Sequence, residues 1–171
     1  INGVSSASDV LEGDTGDNAI SGIAGKTLFD LSQGGNDTVT GTTGKDVFRF
    51  GAALTAADVI DGGAGARDRI VLDGDYVSRL ILGATTLTNV EVIEVASGFS
   101  YNLATKDGNT VGIARLEIRG AGLFVGDTLT FDGSAELDGS LFIAGGAGAD
   151  HLIGGHGNDI LRGDAGADTL A

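Results

Sequence analysis

Aspartates that recur at a fixed spacing near the end of the chain are the residues best placed to do chemistry. Segments 145–153, 154–162 and 163–171 are three copies of one nine-residue unit, with glycine at positions one and four, aspartate at six and leucine at eight. Carboxylates combined with backbone carbonyls are the ligands that a hard divalent cation such as Ca²⁺ prefers. Glycine lets a tight loop turn its carbonyls inward. The unit therefore predicts a cation-binding loop.

The spacing of the unit also predicts how the loops are arranged. Residues around position eight alternate as in a short strand with one inward side chain. Each unit, a loop followed by a short strand, makes half a turn of a coil, so two successive units make a full turn. Loops two units apart then stack on one edge, which brings Asp150 next to Asp168.

These units resemble the G-G-x-G-x-D-x-U-x nonapeptide of the RTX (hemolysin-type) calcium-binding family. The resemblance implies a parallel β-roll with calcium between stacked loops, held by two carbonyls and one aspartate from each loop. Carried over to this chain, it implies a site made of Gly146, Gly148, Asp150, Gly163, Ala165 and Asp168. Further candidate ligands at equivalent positions are Gly145, Ala147, Gly154, His156 and Asp159. Asp159 is expected on the opposite edge, where its partner loop would begin after Ala171. A flexible glycine-rich linker is disfavoured because the leucines keep their register.

The same unit recurs in a degenerate form near the amino terminus. Copies at 13–21, 22–30, 32–40 and 41–49 carry Asn18, Thr27, Asp37 and Asp46 at position six. Their predicted inward residues are Ile20, Phe29, Val39 and Phe48. Alternate loops would pair Asn18 with Asp37 and Thr27 with Asp46. Because Lys26 beside Thr27 adds an unfavourable positive charge, we interpret these loops as mainly structural turns. Asp37 and Asp46 remain candidate calcium ligands.

A longer excursion over residues 51–61 interrupts the period and predicts either a short helix or a wide turn. The pattern resumes at Gly63, with Gly65 in the loop and Asp68 at the ligand position. Asp68 is expected to face Asp46, and Thr42, Gly44, Gly63 and Gly65 would offer carbonyls to a shared ion.

The Gly-Asp loops lapse over residues 76–144, where short β-rich segments alternate with Asp-Gly turns. Further coils of the same solenoid are favoured over a small β-sandwich. We expect a degenerate roll over 1–75, a β-rich connecting segment over 76–144 and a second roll, interrupted mid-coil, over 145–171. Asp132, which precedes Asp150 by the length of two units, and Asp138 are weaker candidates for completing a site at the junction.

Composition narrows the functional classes. The 171 residues include 24 acidic and 10 basic side chains, for a net charge of −14, and no basic cluster is visible along the sequence. Such a surface repels nucleic acids and anionic membranes. There is no cysteine, so thiolate metal sites and disulfides are excluded. The chain has no apolar run of the ~18 residues that a transmembrane helix needs.

The sequence therefore predicts an all-β parallel solenoid that binds calcium and depends on it to fold. Hydrolase motifs are missing, and two histidines, His151 and His156, are too few to predict a zinc site. The family resemblance implies type I secretion and an extracellular or cell-surface location. Two kinds of protein could contain this chain. One is a surface-layer protein or adhesin, with neighbouring copies or adjoining domains as partners. The other is a secreted protease, lipase or polysaccharide-modifying enzyme with this chain as its tail. Carbohydrate binding through Tyr76 and Tyr101 is a weaker alternative.

Overall fold

A computed structural model describes residues 8–65 and 67–171, and every regular element within them is a β-strand. The strands are β1 Ser8–Glu12, β2 Ala19–Ser21, β3 Lys26–Asp30, β4 Thr38–Thr42, β5 Val47–Arg49, β6 Val59–Gly63, β7 Arg69–Leu72, β8 Tyr76–Ile81, β9 Leu87–Thr88, β10 Val92–Val95, β11 Tyr101–Ala104, β12 Leu116–Arg119, β13 Leu129–Asp132, β14 Leu141–Gly146, β15 His151–Ile153, β16 Ile160–Asp164 and β17 Thr169–Leu170. Among the described residues, no helix is long and apolar enough to cross a membrane.

Three parallel sheets form the walls of a solenoid. The longest has eight strands in the order β1-β3-β5-β7-β10-β12-β14-β16 and runs through the whole described chain. A four-stranded sheet, β2-β4-β6-β9, belongs to the amino-terminal coils, and a five-stranded sheet, β17-β15-β13-β11-β8, belongs to the carboxy-terminal coils. Because each strand pairs in parallel with the equivalent strand of the next coil, the predicted all-β parallel solenoid is confirmed. The middle segment continues the coils and does not form a sandwich.

The coils differ in length along the chain. In the eight-stranded sheet Val10 pairs with Leu28 and Ile143 pairs with Leu161, and each pairing spans the length of two nonapeptides. Between these ends the offset is larger, as in the pairing of Ile118 with Ile143. The coil expected from two nonapeptides is therefore found at both ends, and the middle coils contain longer loops.

The second wall of the solenoid is formed by one sheet in the amino-terminal coils and by another in the carboxy-terminal coils. Strands β7, β8 and β9 follow one another in the chain and lie in three different sheets, so this coil has three sides. Coils before it use the four-stranded sheet as their second wall, and coils after it use the five-stranded sheet. The predicted excursion over residues 51–61 contains turns and the start of β6, with no helix.

Inward side chains stack in columns from coil to coil. The predicted inward residues Ile20, Phe29, Val39 and Phe48 are all at most 1% exposed, which confirms their assignment. Phe29 and Phe48 lie on paired strands, and their rings stack with centroids 4.8 Å apart at an interplanar angle of 5°. Each coil thus adds one layer to a continuous apolar core.

Two tyrosines tie the coils together inside this core. Tyr101 is 1% exposed, and its hydroxyl lies 2.9 Å from the carbonyl oxygens of both Leu72 and Ala96, either of which can accept its hydrogen bond. The Tyr76 hydroxyl accepts a hydrogen bond from the N–H of Leu54 at 2.9 Å. Burial raises the pKa of Tyr101 to about 12. Because both rings are buried, they are not available to stack on a carbohydrate, which argues against the weaker alternative of carbohydrate binding through these tyrosines.

The aromatic stack allows a direct test of the core. Replacing Phe48 by Ala removes half of the stacked pair, and we expect it to lower the free energy of unfolding by about 3–5 kcal/mol. Phe124 is 63% exposed, and its replacement by Ala is the matched control, with an expected change within about 0.5 kcal/mol. Urea unfolding followed by circular dichroism measures both. Equal effects for the two variants would contradict the proposed packing.

Candidate metal centre

The position-six side chains form ladders along the edges of the solenoid. In each ladder a carboxylate oxygen accepts a hydrogen bond from the backbone N–H of the equivalent residue in the preceding coil. Asp37 accepts from Asn18 at 3.0 Å, Asp46 from Thr27 at 2.7 Å and Asp168 from Asp150 at 3.0 Å. The structure therefore brings together the pairs that a coil of two nonapeptides predicts.

The nonapeptide pattern does not predict two members of these ladders. Asp58 accepts the N–H of Asp37 at 2.7 Å, and Glu91 accepts the N–H of Asp68 at 2.7 Å. Neither follows a Gly-x-x-Gly loop, so the repeat pattern could not find them. The available signal was local, because each precedes a short apolar strand as the repeat aspartates do. The expected neighbours Asp46 and Asp68 are also joined, with the N–H of Asp46 donating to Asp68 at 2.7 Å.

The glycines of the repeat are explained by close approach of oxygen atoms. At position one, a Cβ added to Gly145 or to Gly163 would lie 2.2 Å from Oδ2 of its own loop's aspartate, Asp150 or Asp168. At position four, a Cβ added to Gly148 would lie 1.7 Å from a carbonyl oxygen of the coil before. Only glycine fits both places, so the pattern is a steric requirement of stacked loops.

The loop before Asp68 has a different register from the predicted one. A Cβ added to Gly62 would lie 2.8 Å from Asp68 Oδ2, so Gly62 occupies position one and Gly63 position two. The loop contains one more residue than the nonapeptide, and Arg67 next to Asp68 adopts a positive φ of 70°. The prediction that this repeat begins at Gly63 is therefore wrong by one residue, whereas Gly65 is in the position-four place.

Two of the repeat aspartates present an oxygen that has no donor. Asp150 is 3% exposed and Asp68 is 0% exposed, and Oδ2 of each is buried without a hydrogen-bond partner. Burial, followed by repulsion from Asp168 and Asp164, raises the pKa of Asp150. Burial and repulsion from Asp46 and Glu91 raise the pKa of Asp68 to about 7. Both oxygens thus have the surroundings that a bound cation would stabilise.

The loops on either side of Asp150 supply further oxygens. The carbonyl of Gly146 lies between the two loops and accepts the N–H of Ala165 at 2.8 Å, which leaves its second lone pair for another contact. The N–H of Leu129 donates to Asp150 Oδ1 at 2.7 Å and fixes the carboxylate. With Asp168 stacked on Asp150, the residues here match the chemistry of calcium: two carboxylates and carbonyls.

The predicted ligand Asp46 has its second oxygen satisfied within its own loop. Asp46 Oδ2 accepts the N–H of Thr42 at 2.6 Å and lies 3.0 Å from the Thr42 hydroxyl. The same hydroxyl contacts the carbonyl of Gly25 in the coil before and accepts the N–H of Gly44 at 3.0 Å. The Thr42 hydroxyl therefore lies between a carboxylate and a carbonyl of the preceding coil.

Other polar side chains join the coils of the middle segment in a similar way. The Thr86 hydroxyl accepts the N–H of Gly83 at 2.9 Å and donates to the Ala56 carbonyl at 3.1 Å. The Asn109 side chain accepts a backbone N–H of its own loop and donates to the Gly83 carbonyl at 2.8 Å. Hydroxyl and amide groups thus connect adjacent coils where the Gly-Asp loops are absent.

Three further predicted ligands, Asp159, His156 and Asp37, lie in other loops of the solenoid. Asp159 accepts the N–H of Leu141 at 2.8 Å through Oδ1 and that of Gly155 at 2.7 Å through Oδ2, above Gly154. His156 is exposed and donates its backbone N–H to the Glu136 carbonyl. Asp37 is buried, and its pKa is raised by burial first and then by Asp58 and other carboxylates.

The two weaker junction candidates do not stack on Asp150. Asp132 lies in β13 opposite Ile153 and forms an ion pair with Arg79. The coil there is longer than two nonapeptides, as the pairing of Phe131 with Leu152 shows, so a residue exactly two units before Asp150 is out of register. Asp138 is exposed in a turn.

The fold and its edges define a parallel β-roll with stacked Gly-Asp loops of the calcium-binding type. No group of three or more His, Asp or Glu side chains suited to a metal occurs in residues 8–65 and 67–171, so any ion here relies on carbonyls beside paired carboxylates. The family model of the RTX calcium-binding nonapeptide repeat matches four copies, over residues 5–26, 32–49 and 142–170. These three segments are therefore similar to the RTX calcium-binding nonapeptide repeat. No curated protein and no solved structure shows a significant match.

The position-four glycine can be tested by adding a single methyl group. We expect Gly148→Ala to lower the free energy of unfolding by about 2 kcal/mol or more, because its Cβ has no room beside the Asp127 carbonyl. Gly122 has open space around its Cα, so Gly122→Ala is the control, with an expected change of under about 0.5 kcal/mol. Urea unfolding in millimolar calcium measures both variants. A stable Gly148→Ala protein would show that the loops stack less closely than described.

Proposed function

We propose that this chain is a calcium-binding structural module of a secreted bacterial protein, and that calcium completes its folding. The observation that carries the proposal is the buried, unpartnered Oδ2 of Asp150 beside the stacked carboxylate of Asp168. The main ion would be held by Asp150 and Asp168 with the carbonyls of Gly146, Gly148, Gly163 and Ala165. The family match supports the calcium chemistry, and the secreted location rests on the resemblance alone.

The mechanism follows from charge and from the size of the core. Without an ion, Asp150 and Asp168 are carboxylates on adjacent coils that repel each other. The loops at 145–149 and 163–167 consist of glycine and alanine with one aspartate, so they bury little apolar side-chain surface to offset this repulsion. Ordering each residue costs roughly 1–2 kcal/mol. A bound cation would neutralise both carboxylates, and its binding free energy would become folding free energy.

A second ion is proposed at Asp68. Its unpartnered Oδ2 and the Asn89 carbonyl oxygen both lie beside Gly62, at 2.8 Å and 2.1 Å from the place of an added Cβ, so two acceptor oxygens face the same point. Glu91 contributes the second carboxylate in place of Asp46, with the carbonyls of Gly63 and Gly65 nearby. Asp37, Asp46 and Gly44 are assigned to hydrogen-bonded turns, and Gly145, Ala147, Gly154, His156 and Asp159 to the loops that flank the main ion.

Extracellular calcium-binding modules bind Ca²⁺ with dissociation constants of roughly 10⁻⁴–10⁻³ M. A module of this affinity would be loosely ordered in a calcium-poor cytosol and ordered outside the cell. The proposed role is therefore structural: the ion acts as a folding signal after export, and the β-roll then serves the protein that carries it.

Removing the two stacked carboxylates tests the main site. We expect the double variant Asp150→Asn/Asp168→Asn to bind about one calcium ion fewer per chain, as measured by isothermal titration calorimetry, because neutral amides cannot balance the ionic charge. Asp138→Asn is the control, since Asp138 is exposed in a turn and should keep the wild-type stoichiometry. Unchanged stoichiometry in the double variant would refute the assignment, and identical circular dichroism with chelator and with calcium in the wild type would refute coupled folding.

Thr42 allows a test in the opposite direction. Thr42→Gly restores glycine at position two of its loop and removes the hydroxyl that lies between Asp46 Oδ2 and the Gly25 carbonyl, while the backbone N–H of residue 42 remains. Because two oxygens then face the space left by the hydroxyl, we expect the calcium stoichiometry to rise by about one ion per chain. Thr42→Val is the matched control, because it removes the hydroxyl but keeps its volume and should add no ion. A gain in both variants, or in neither, would contradict the view that the Thr42 hydroxyl takes the place of an ion.

A further inference from the structure

Basic side chains gather in one cleft on the outer side of the eight-stranded sheet. Lys26, Lys45, Arg67, Arg69 and Arg119 line this basic cleft, which has a volume of about 190 Å³. They are half of the 10 basic residues in a chain whose net charge is −14. The sequence shows no basic cluster because these residues lie far apart along the chain, and coiling brings them together.

The coil geometry arranges three of these charges in a row. Lys26, Lys45 and Arg67 each immediately precede the position-six residue of successive coils. Those position-six residues are joined by hydrogen bonds from Thr27 to Asp46 and from Asp46 to Asp68. Adjacent coils are separated by about 4.8 Å, the spacing of paired strands. The row therefore repeats one positive charge per coil at a regular interval.

The lysine end of the basic cleft is not neutralised by the protein. Arg67 and Arg119 both form ion pairs with Glu117, and Arg69 pairs with Glu94 at 3.6 Å, so the protein partly neutralises the three arginines. Lys26 and Lys45 form no ion pair with any residue that the structure describes. Asp46 also lines the cleft, but it is 1% exposed and its oxygens already accept hydrogen bonds.

We propose that the basic cleft binds a linear anionic polysaccharide, a sugar chain that carries sulfate or carboxylate groups. A row of charges at ~4.8 Å intervals fits an extended chain with repeated anions better than a single small anion, which needs donors converging on one point. Val47 and Val92 lie among the cationic groups, and no aromatic side chain of the described residues lines the cleft, so it lacks the stacking surface that binds single-stranded nucleic acids. The acidic remainder of the surface repels a wide duplex polyanion.

The recognition is electrostatic and independent of the calcium loops at Asp150 and Asp168. Long lysine side chains can each reach one anionic group of the polymer, while Arg67, Arg69 and Arg119 contribute less because each is already paired with a glutamate. Counterions released from the polymer add to the affinity, so binding should weaken steeply as salt concentration rises.

Binding of sulfated dextran to the full chain in millimolar calcium tests the proposal, with uncharged dextran as the polymer control. We expect wild-type binding to the sulfated polymer alone, and at least tenfold weaker binding for Lys26→Gln/Lys45→Gln. The matched variant Arg79→Gln/Lys106→Gln has the same net charge but alters basic residues outside the cleft, and it should stay within twofold of wild type. Lys26→Arg/Lys45→Arg should also retain binding, which separates loss of charge from loss of structure.

Several outcomes would overturn the proposal. Equal weakening in the two glutamine variants would mean that only net charge matters. Inorganic sulfate that binds the cleft as tightly as the polymer, per site, would indicate a point anion site, and equal affinity for duplex DNA would indicate a general polyanion surface. Absence of wild-type binding at low salt would also refute it. Calcium stoichiometry, measured on the same variants, is expected to be unchanged and so reports on the calcium proposal separately.

Discussion

The hydrogen bond from the backbone N–H of one coil to the position-six carboxylate of the next is the interaction on which this structure depends. It recurs between Asp37 and Asp58, between Asp46 and Asp68 and between Asp150 and Asp168, at 2.7–3.0 Å. Each bond fixes the place where a loop ends and the next strand begins, and so sets the register of the sheet below it. The same bond stacks acidic groups on adjacent coils, which creates an electrostatic cost that every coil must offset.

The chain offsets that cost in different ways along its length. At Thr42 a hydroxyl contacts both a carboxylate and the carbonyl of the preceding coil, and at Thr86 and Asn109 a neutral side chain replaces the carboxylate altogether. On the outside, Lys26, Lys45 and Arg67 stand beside the stacked carboxylates. Asp68 and Asp150, by contrast, keep a buried Oδ2 without a donor. Edges with an unpartnered carboxylate oxygen and edges whose loops contain a hydrogen-bonded hydroxyl or amide are thus variants of one coil geometry.

The periodic parts of this structure could be predicted from sequence, because there each residue's role repeats at a fixed interval. The inward column of Phe29 and Phe48 and the neighbours Asp150 and Asp168 follow from the nonapeptide alone. Asp58 and Glu91 could not be found in this way, since longer loops precede them and only their bonds to Asp37 and Asp68 identify them. Asp132 was misplaced for the same reason, because a coil longer than two nonapeptides shifts the register. The change of wall at β8 and β9 leaves no periodic signal at all.

The distribution of core residues explains why an ion would matter most at the carboxy-terminal end. Coils that contain Phe29, Phe48 and the tyrosine pair have large buried side chains and hydrogen-bonded loops, so their stacking is supported by the chain itself. The loops that end at Asp150 and Asp168 consist of glycine and alanine with one aspartate, Asp164, and Asp168 must lie against Asp150. Glycine increases the conformational entropy that the chain loses on ordering, and the little apolar surface buried here offsets only a small part of that cost. The proposed cation between those two aspartates would convert the least favourable contact of the coil into a stabilising one.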